Sequence, residues 1–398
     1  KLIDGSVFKI HNFTAMQFRT VVGQKKVIES LIQTIKDNRV SHAQLFIEQQ
    51  GSGALPLAIA YAQYLCCENR SDIDSCGTCP SCLKYQKLEH PDLHCFYPVN
   101  TNPRNPKPPV FSKDYTAEWR SFVSKTPYSS LFEWLKSLDI ENKQGNISVK
   151  ESQEIINSLT LKSFESAYKV CIIWMVEKLH PVAANKLLKV LEEPPEKTLF
   201  ILITQDYEYI LPTIISRTQV VQLDRLSNAD VAGAIEKHHN IDSSEAMNYA
   251  KLCEGDYAHA QEMVHLGYNE EELMDNFREW MLLCFNRNVA GINSWVDETA
   301  SIGRVRQLNF LKYALASFRK ALLLNFVSLD VLPILEHEKA FLAKFTNFVH
   351  EENTMQLINE FDLAIRHIER NVNPKIVIMD LSLKVLQLLI KKVPQGAK

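Results

Sequence analysis

Glycine is scarce, at 12 of 398 residues, or about 3% where globular proteins average about 7%. Few glycines mean few glycine-dependent turns, and a helix-rich chain is expected. No run comes near the roughly 18 consecutive apolar residues of a membrane span, which argues against an integral membrane protein. Residues 1–15 lack the apolar core and small-residue cleavage site of a secretory signal. They are read as a leader or an expression remnant, and the expected address is the cytoplasm. Neither sign of charge is in excess, with 44 Lys and Arg against 47 Asp and Glu and a net charge of −3. Bulk attraction to nucleic acid or an anionic membrane is therefore not expected, and a local basic patch stays open.

What is present is an ordinary globular balance, 46% apolar and 23% charged, in a chain long enough for two or three domains at roughly 150 residues each. Five short runs have strand length and β-branched or aromatic content: 44–47, 93–97, 169–173, 199–204 and 219–223. Between them, 55–66, 150–159 and 182–193 carry apolar residues at spacings of three and four. Such alternation predicts a mostly parallel sheet covered by helices over residues 16–223. Beyond it, Ser227 can cap a helix beginning at Asn228, and 246–253 and 258–266 continue in helical period, making a small three-helix unit over 224–268. Residues 269–398 read as a separate all-helical domain, with helices over 277–285, 305–326, 338–350, 354–370 and 375–392. One stretch, 99–145, is out of character: it gathers Pro103, Pro106, Pro108 and Pro109, then amphipathic pieces around Trp119 and Trp134. It is read as an insertion of open role, whose two tryptophans pack it against the body.

Nine cysteines is an odd number, and five crowd together at Cys66, Cys67, Cys76, Cys79 and Cys82. In a reducing compartment that crowding points to metal rather than disulfides. Cys67, Cys76, Cys79 and Cys82 have the spacing C-x8-C-x2-C-x2-C, and four thiolates on one loop can close a tetrahedron around a structural zinc ion with no open position. Gly77 lets the backbone turn Cys76 and Cys79 toward one ion. Cys66 shares helical register with Ile59 and Ala62 on a core face, which leaves Cys67 as the better ligand. His90 lies close by, but the tetrahedron is already filled.

The segment from His42 through Pro56 has the layout of a strand, a glycine turn (Gly51, Gly53) and a helix. A working phosphate loop reads G-x-x-x-x-G-K-[ST], its Lys on the outer phosphates and its hydroxyl on magnesium. Here Ala54 and Leu55 stand at those two places, and Glu48 stands at the first glycine. Gly-Ser-Gly by itself is more often a plain loop. The second element fails in a matching way, since the apolar run Lys169 to Ile173 continues Trp174-Met175 where Asp-Glu would hold magnesium and position water. Two losses at the two required places predict a nucleotide-binding fold that does not hydrolyse nucleotide.

Gly23-Gln24, Ser41-His42-Ala43, the cysteine loop followed by His90-Pro91-Asp92, the run Ala184 to Pro195 with its Leu-Glu-Glu-Pro-Pro ending, and Leu211 to Arg217 with its Ser216-Arg217 ending stand in this order. Together they resemble the bacterial clamp-loader branch of the AAA+ ATPases, and Arg370 to Pro374 is similar to the collar signature of that branch. Singly, Glu192-Glu193-Pro194-Pro195 is a helix stopped by proline and Arg217 a surface arginine; the order and spacing of the set carry the likeness. It spans Met16 to about Gln387 apart from the insertion. It implies an AAA+ P-loop-type sheet domain with a zinc-binding loop, a helical lid and a C-terminal oligomerisation collar. Within the branch it is to the member whose catalytic residues are lost. That implies no bound ATP, assembly with the gamma/tau motor subunits and delta, and contact with the sliding clamp and primed DNA through the assembled loader. It also implies that Ser216 and Arg217 face a neighbouring ATPase site, with Arg217 as a finger in trans. Departures are Thr218 where the motor subunits have Cys, and Ala258 near the place of a sensor arginine. Two other readings stay open: a weakly active gamma/tau-like ATPase, and a free-standing zinc module binding nucleic acid, which the near-neutral charge disfavours.

Overall fold

Five apolar runs become five strands, and all of them pair in parallel. The computed structural model describes residues 16–140, 143–160, 163–266, 270–327, 336–369 and 372–389. The expected leader, Arg370 and Asn371 of the collar signature, and the end of the last expected helix lie outside them. The strands are β1 (Ala43–Ile47), β2 (Leu93–Phe96), β3 (Lys169–Trp174), β4 (Thr198–Thr204) and β5 (Gln219–Gln222), in spatial order β2-β3-β4-β1-β5. Ala43 lies opposite Phe200 and Lys169 opposite Thr198, which sets the register of the three inner strands. β3 and β4 are buried along their whole length, as parallel strands covered on both faces must be.

The two-residue period of the strands sorts their side chains between two cores. Phe46, Val170, Ile172, Leu199 and Ile201 join α1 (Lys25–Lys36) and α2 (Ala54–Cys66) on one face. Leu45, Cys171, Ile173, Phe200 and Leu202 join residues of the helices that cover the other. In chain order the further helices around the sheet are α3 (Pro80–Gln86), α4 (Thr116–Lys125), α5 (Leu131–Ser137), α6 (Val149–Thr160), α7 (Pro181–Glu192) and α8 (Pro212–Ile215). α2 is apolar apart from Gln63 and buried at every residue, the pattern of a helix enclosed on all sides. Three helices follow, α9 (Asn228–His239), α10 (Ser243–Leu252) and α11 (Tyr257–Leu266). Ser227 caps α9, its hydroxyl accepting from Asp230 N, as expected.

The chain divides into two compact units, Lys1–His265 and Leu266–Lys398. The sheet and α9 to α10 share the first, together with most of α11. The second is all helix: α12 (Glu270–Phe285), α13 (Val289–Ser301), α14 (Arg304–Leu323), α15 (Glu336–Phe345), α16 (Glu351–Glu369) and α17 (Pro374–Leu389). Its core is separate, built on Trp280 stacked against Trp295 at 5.2 Å, with the Trp280 indole N–H donating to Ser382 Oγ at 2.9 Å. Among the described residues no helix is long and apolar enough to cross a membrane. The α/β-then-all-α organisation expected from the sequence is the one observed.

The insertion is a structured excursion from the end of β2. Its stem is closed by Val99 and Asn146, which exchange two backbone hydrogen bonds of 3.0 and 3.2 Å. Trp119 and Trp134 are both buried, so they pack the insertion against the body as expected.

Candidate functional site

The cysteine loop leaves the C-terminus of α2 and returns into α3. The four sulfur atoms of Cys67, Cys76, Cys79 and Cys82 all lie within 4.8 Å of one another. Sulfurs around zinc at about 2.3 Å would stand about 3.8 Å apart, and the Cys76 and Cys82 sulfurs are 3.9 Å apart. Backbone N–H groups point at the same sulfurs: Cys76 N donates to Cys67 Sγ at 3.3 Å, Cys79 N to Cys76 Sγ at 3.3 Å, and Cys82 N to Cys79 Sγ at 3.4 Å. Gly77 has a φ of 74°, the left-handed turn that lets these amides converge. The amides of Thr78 and Cys79 bring the Cys76 thiol down to about 6, while burial pushes Cys67 and Cys82 up. The group can hold one metal ion. Cys66 points elsewhere, accepting from Tyr85 Oη at 3.2 Å, and His90 accepts Asp92 N at its Nδ1.

The glycine turn lies at the C-terminal end of β1. Gly51 and Gly53 have φ of 77° and 93°. Each is also pressed by a neighbour: a β-carbon on Gly53 would stand 2.6 Å from Tyr128 Cε1, and one on Gly51 would collide with the Asp256 carboxylate. The first amide of α2, Ala54 N, donates to Glu48 Oε2 at 2.7 Å. A helix N-terminus attracts an anion, and here that place is taken by the protein's own Glu48 carboxyl group. Glu48 is buried and Gln205 donates to its other oxygen at 3.4 Å. Burial lifts its carboxyl to about 7, against these hydrogen bonds and with added repulsion from Asp256. Gln24 bridges the turn to the chain after β5, donating to Ser52 O at 3.2 Å and Asp224 O at 2.7 Å.

At the end of β3, Trp174 and Met175 are buried in the core. Trp174 sits 5.3 Å from Trp119 and 6.2 Å from Phe122 of the insertion, ring centre to ring centre. Arg217, after α8, is partly exposed and donates through Nε to Glu192 Oε1 at 2.6 Å, through a second nitrogen to the same oxygen, and to Thr213 O at 2.8 Å. Ser216 Oγ accepts from the same guanidinium at 3.2 Å. The cysteines, the glycine turn and the Ser216-Arg217 pair thus occupy separate places, each built by its own elements. Reading the residues alone missed three partners: Glu48 as the cap of α2, Tyr128 over Gly53, and Glu192 as the counterion of Arg217. Glu48 and Glu192 were visible as residues, but their partners are fixed only by the fold.

A family model described as "DNA polymerase III, delta subunit" matches residues 23–227, more than half of the chain. The chain is 26% identical over 249 residues to DNA polymerase III subunit delta' of Bacillus subtilis, covering 62% of this sequence and 60% of that one. It is 26% identical over 215 residues to subunit tau/gamma of Haemophilus influenzae, covering 54% of this sequence and 25% of that one. It therefore spans less than two thirds of either relative. A DNA polymerase III gamma subunit-related protein of Thermotoga maritima, aligned over 91% of this chain and 99% of its own, has 16% identity and a TM-score of 0.41, too distant to carry an argument. Because the family match extends from Gly23 to Ser227, a range that includes the glycine turn and all five strands of the sheet, the chain belongs to the DNA polymerase III delta-subunit family.

Proposed function

We propose that this chain is a non-catalytic, delta-prime-type subunit of a sliding-clamp loader, assembling with gamma/tau and delta subunits to load the clamp on primed DNA. The observation that carries this reading is at the glycine turn. A phosphate loop needs a lysine and a hydroxyl at the positions of Ala54 and Leu55, and it needs a free amide at the start of the helix; here Glu48 takes that amide. Neither side chain at 54 or 55 can hold phosphate or magnesium, and Trp174 and Met175 cannot position an attacking water. Zinc held by Cys67, Cys76, Cys79 and Cys82 would be structural, closing the loop without meeting substrate.

Arg217 would then work in trans, on the terminal phosphate of ATP bound by a neighbouring motor subunit. Its guanidinium is held out by Glu192 and the Thr213 carbonyl, and its planar fork can bond two phosphate oxygens together. Arginine fingers raise GTPase turnover by roughly a thousandfold to a hundred-thousandfold, and a motor with several sites should depend less on one of them. In a loader reconstituted with gamma/tau and delta, both Arg217→Ala and Arg217→Lys are expected to assemble normally and to slow clamp-stimulated hydrolysis. Normal hydrolysis and clamp loading by Arg217→Ala would make Arg217 an ordinary surface residue. The similarity to tau/gamma relatives supports a second reading, a weak ATPase of the same complex. Calorimetry decides between them, because micromolar ATP binding by the isolated chain fits only the second.

A further inference from the structure

Tyr128 belongs to the insertion yet ends its path at the glycine turn. It is 4% exposed, its ring lies over Gly53, and its hydroxyl accepts from Val22 N at 2.8 Å. Its ring meets that of Tyr257, the first residue of α11, edge-on at 4.9 Å. Tyr257 is tied in twice more, its N–H donating to Gly51 O at 3.4 Å and its hydroxyl pairing with His238 Nδ1 at 2.7 Å. On the other flank, Trp119 and Phe122 of the same insertion pack on Trp174. An aromatic ring beside the turn and a carboxylate on the first amide of α2 are the two chemical parts that a nucleotide would bring, a planar ring and an anion.

We infer that the insertion is an internal plug. Tyr128, with Glu48, fills the nucleotide side of the glycine turn with the protein's own atoms and holds α11 against the turn without any ligand. This inference rests on the proposal that the turn takes no nucleotide. A tethered occupant cannot dissociate and loses no translational freedom on seating, so the joint between the sheet and α11 stays set in one position. A nucleotide would set such a joint only while bound.

The test is made on the full chain. Tyr128→Ala is expected to lower the melting temperature by roughly 6–12 °C and to speed amide exchange at Val22 and over residues 257–264 by at least about tenfold, more than in β3 or β4. Millimolar p-cresol, which has the ring and hydroxyl of the missing side chain, should restore protection in the variant and leave the natural chain unchanged. Unchanged exchange over 257–264 in the variant, or an equal response of both proteins to p-cresol, would overturn the plug. If Tyr128→Ala does not fold, Tyr128→Phe keeps the ring and loses only the Val22 bond. Faster exchange confined to Val22 is then expected, and full protection there would refute the seating described. Magnesium-ATP added to the natural chain separates the two ideas: a raised melting temperature sinks the proposal that the turn takes no nucleotide, whereas failed rescue by p-cresol sinks the plug alone.

Discussion

Glu48 joins burial, charge and a helix terminus in one side chain, and its titration should be visible in stability. Its carboxyl is ordinary near 4.5 in the unfolded chain and lifted to about 7 in the folded one. Between those values the folded state keeps a proton that the unfolded state has lost, so stability falls as pH rises through this window and is flat above it. The full loss is about 3 kcal/mol. The groups facing it are Asp256, Gln205, Tyr128 and the Ala54 amide. Glu48→Gln keeps an acceptor for Ala54 N and removes the titration. Urea unfolding at pH 5 to 8 should therefore show the variant gaining on the natural chain as pH rises, and equal slopes would refute the assignment. The sequence showed Glu48 only as a missing glycine, because nothing local says that its carboxyl reaches an amide six residues further along the chain. The cysteines were legible at the same scale, since their spacing alone lets four sulfurs reach one point.

At the scale of elements, the cysteine loop is a fastener for the chain that precedes α1. Asp74 accepts from Phe18 N and Arg19 N, each at 3.1 Å, and Gln17 Nε2 donates to Ser75 O at 2.6 Å. Chelation of the metal, or Cys79→Ser, should therefore release amides at 18 and 19 as well as those of the loop. Metal analysis should find about one zinc per chain. A metal-free protein of equal stability and equal exchange would show that the cysteines hold nothing. All five strands were legible to within two residues: the inner ones because buried parallel strands write themselves as short apolar runs, and the less buried edges β2 and β5 because their runs still have strand length and β-branched or aromatic content. Four helices were not expected, one of them α8, a single turn opened by Pro212. α13 has Val289 and Gly291 in its first turn, both poor helix formers, and is set by Asn288, whose side chain accepts from Gly291 N at 3.0 Å. α3 is a single short stretch started by Pro80 after the Cys79 cap. α1 has Leu31, Ile32 and Ile35 buried at helical spacing and was readable, though it was not read. The path of Tyr128 to Gly53, 75 residues back along the chain, leaves no trace in sequence at all.

For the molecule as a whole, two units with separate cores should be separable. A chain ending at His265 keeps both faces of the sheet covered and every tie of the glycine turn described above, so it is expected to unfold cooperatively by itself. The helical unit is proposed to mediate assembly, and the shortened chain should then fail to join gamma/tau and delta in gel filtration. Undiminished assembly would move the oligomer contacts into the first unit.

The packing of Trp174 against Trp119 and Phe122 bears on descent. Placing an acid at 174 alone would put a carboxylate among aromatic rings and discard a buried indole, a loss of at least about 4 kcal/mol. Trp174→Asp should accordingly melt far below the natural chain in a calorimeter and gain no hydrolysis. If the glycine turn is, as proposed, a phosphate loop without its chemistry, a chain with tryptophan in this place gains no catalysis by any single tolerated step. Lysine at 54, a hydroxyl at 55, an acid at 174 and removal of the insertion would have to arrive together, and in that sense the specialisation is ratcheted.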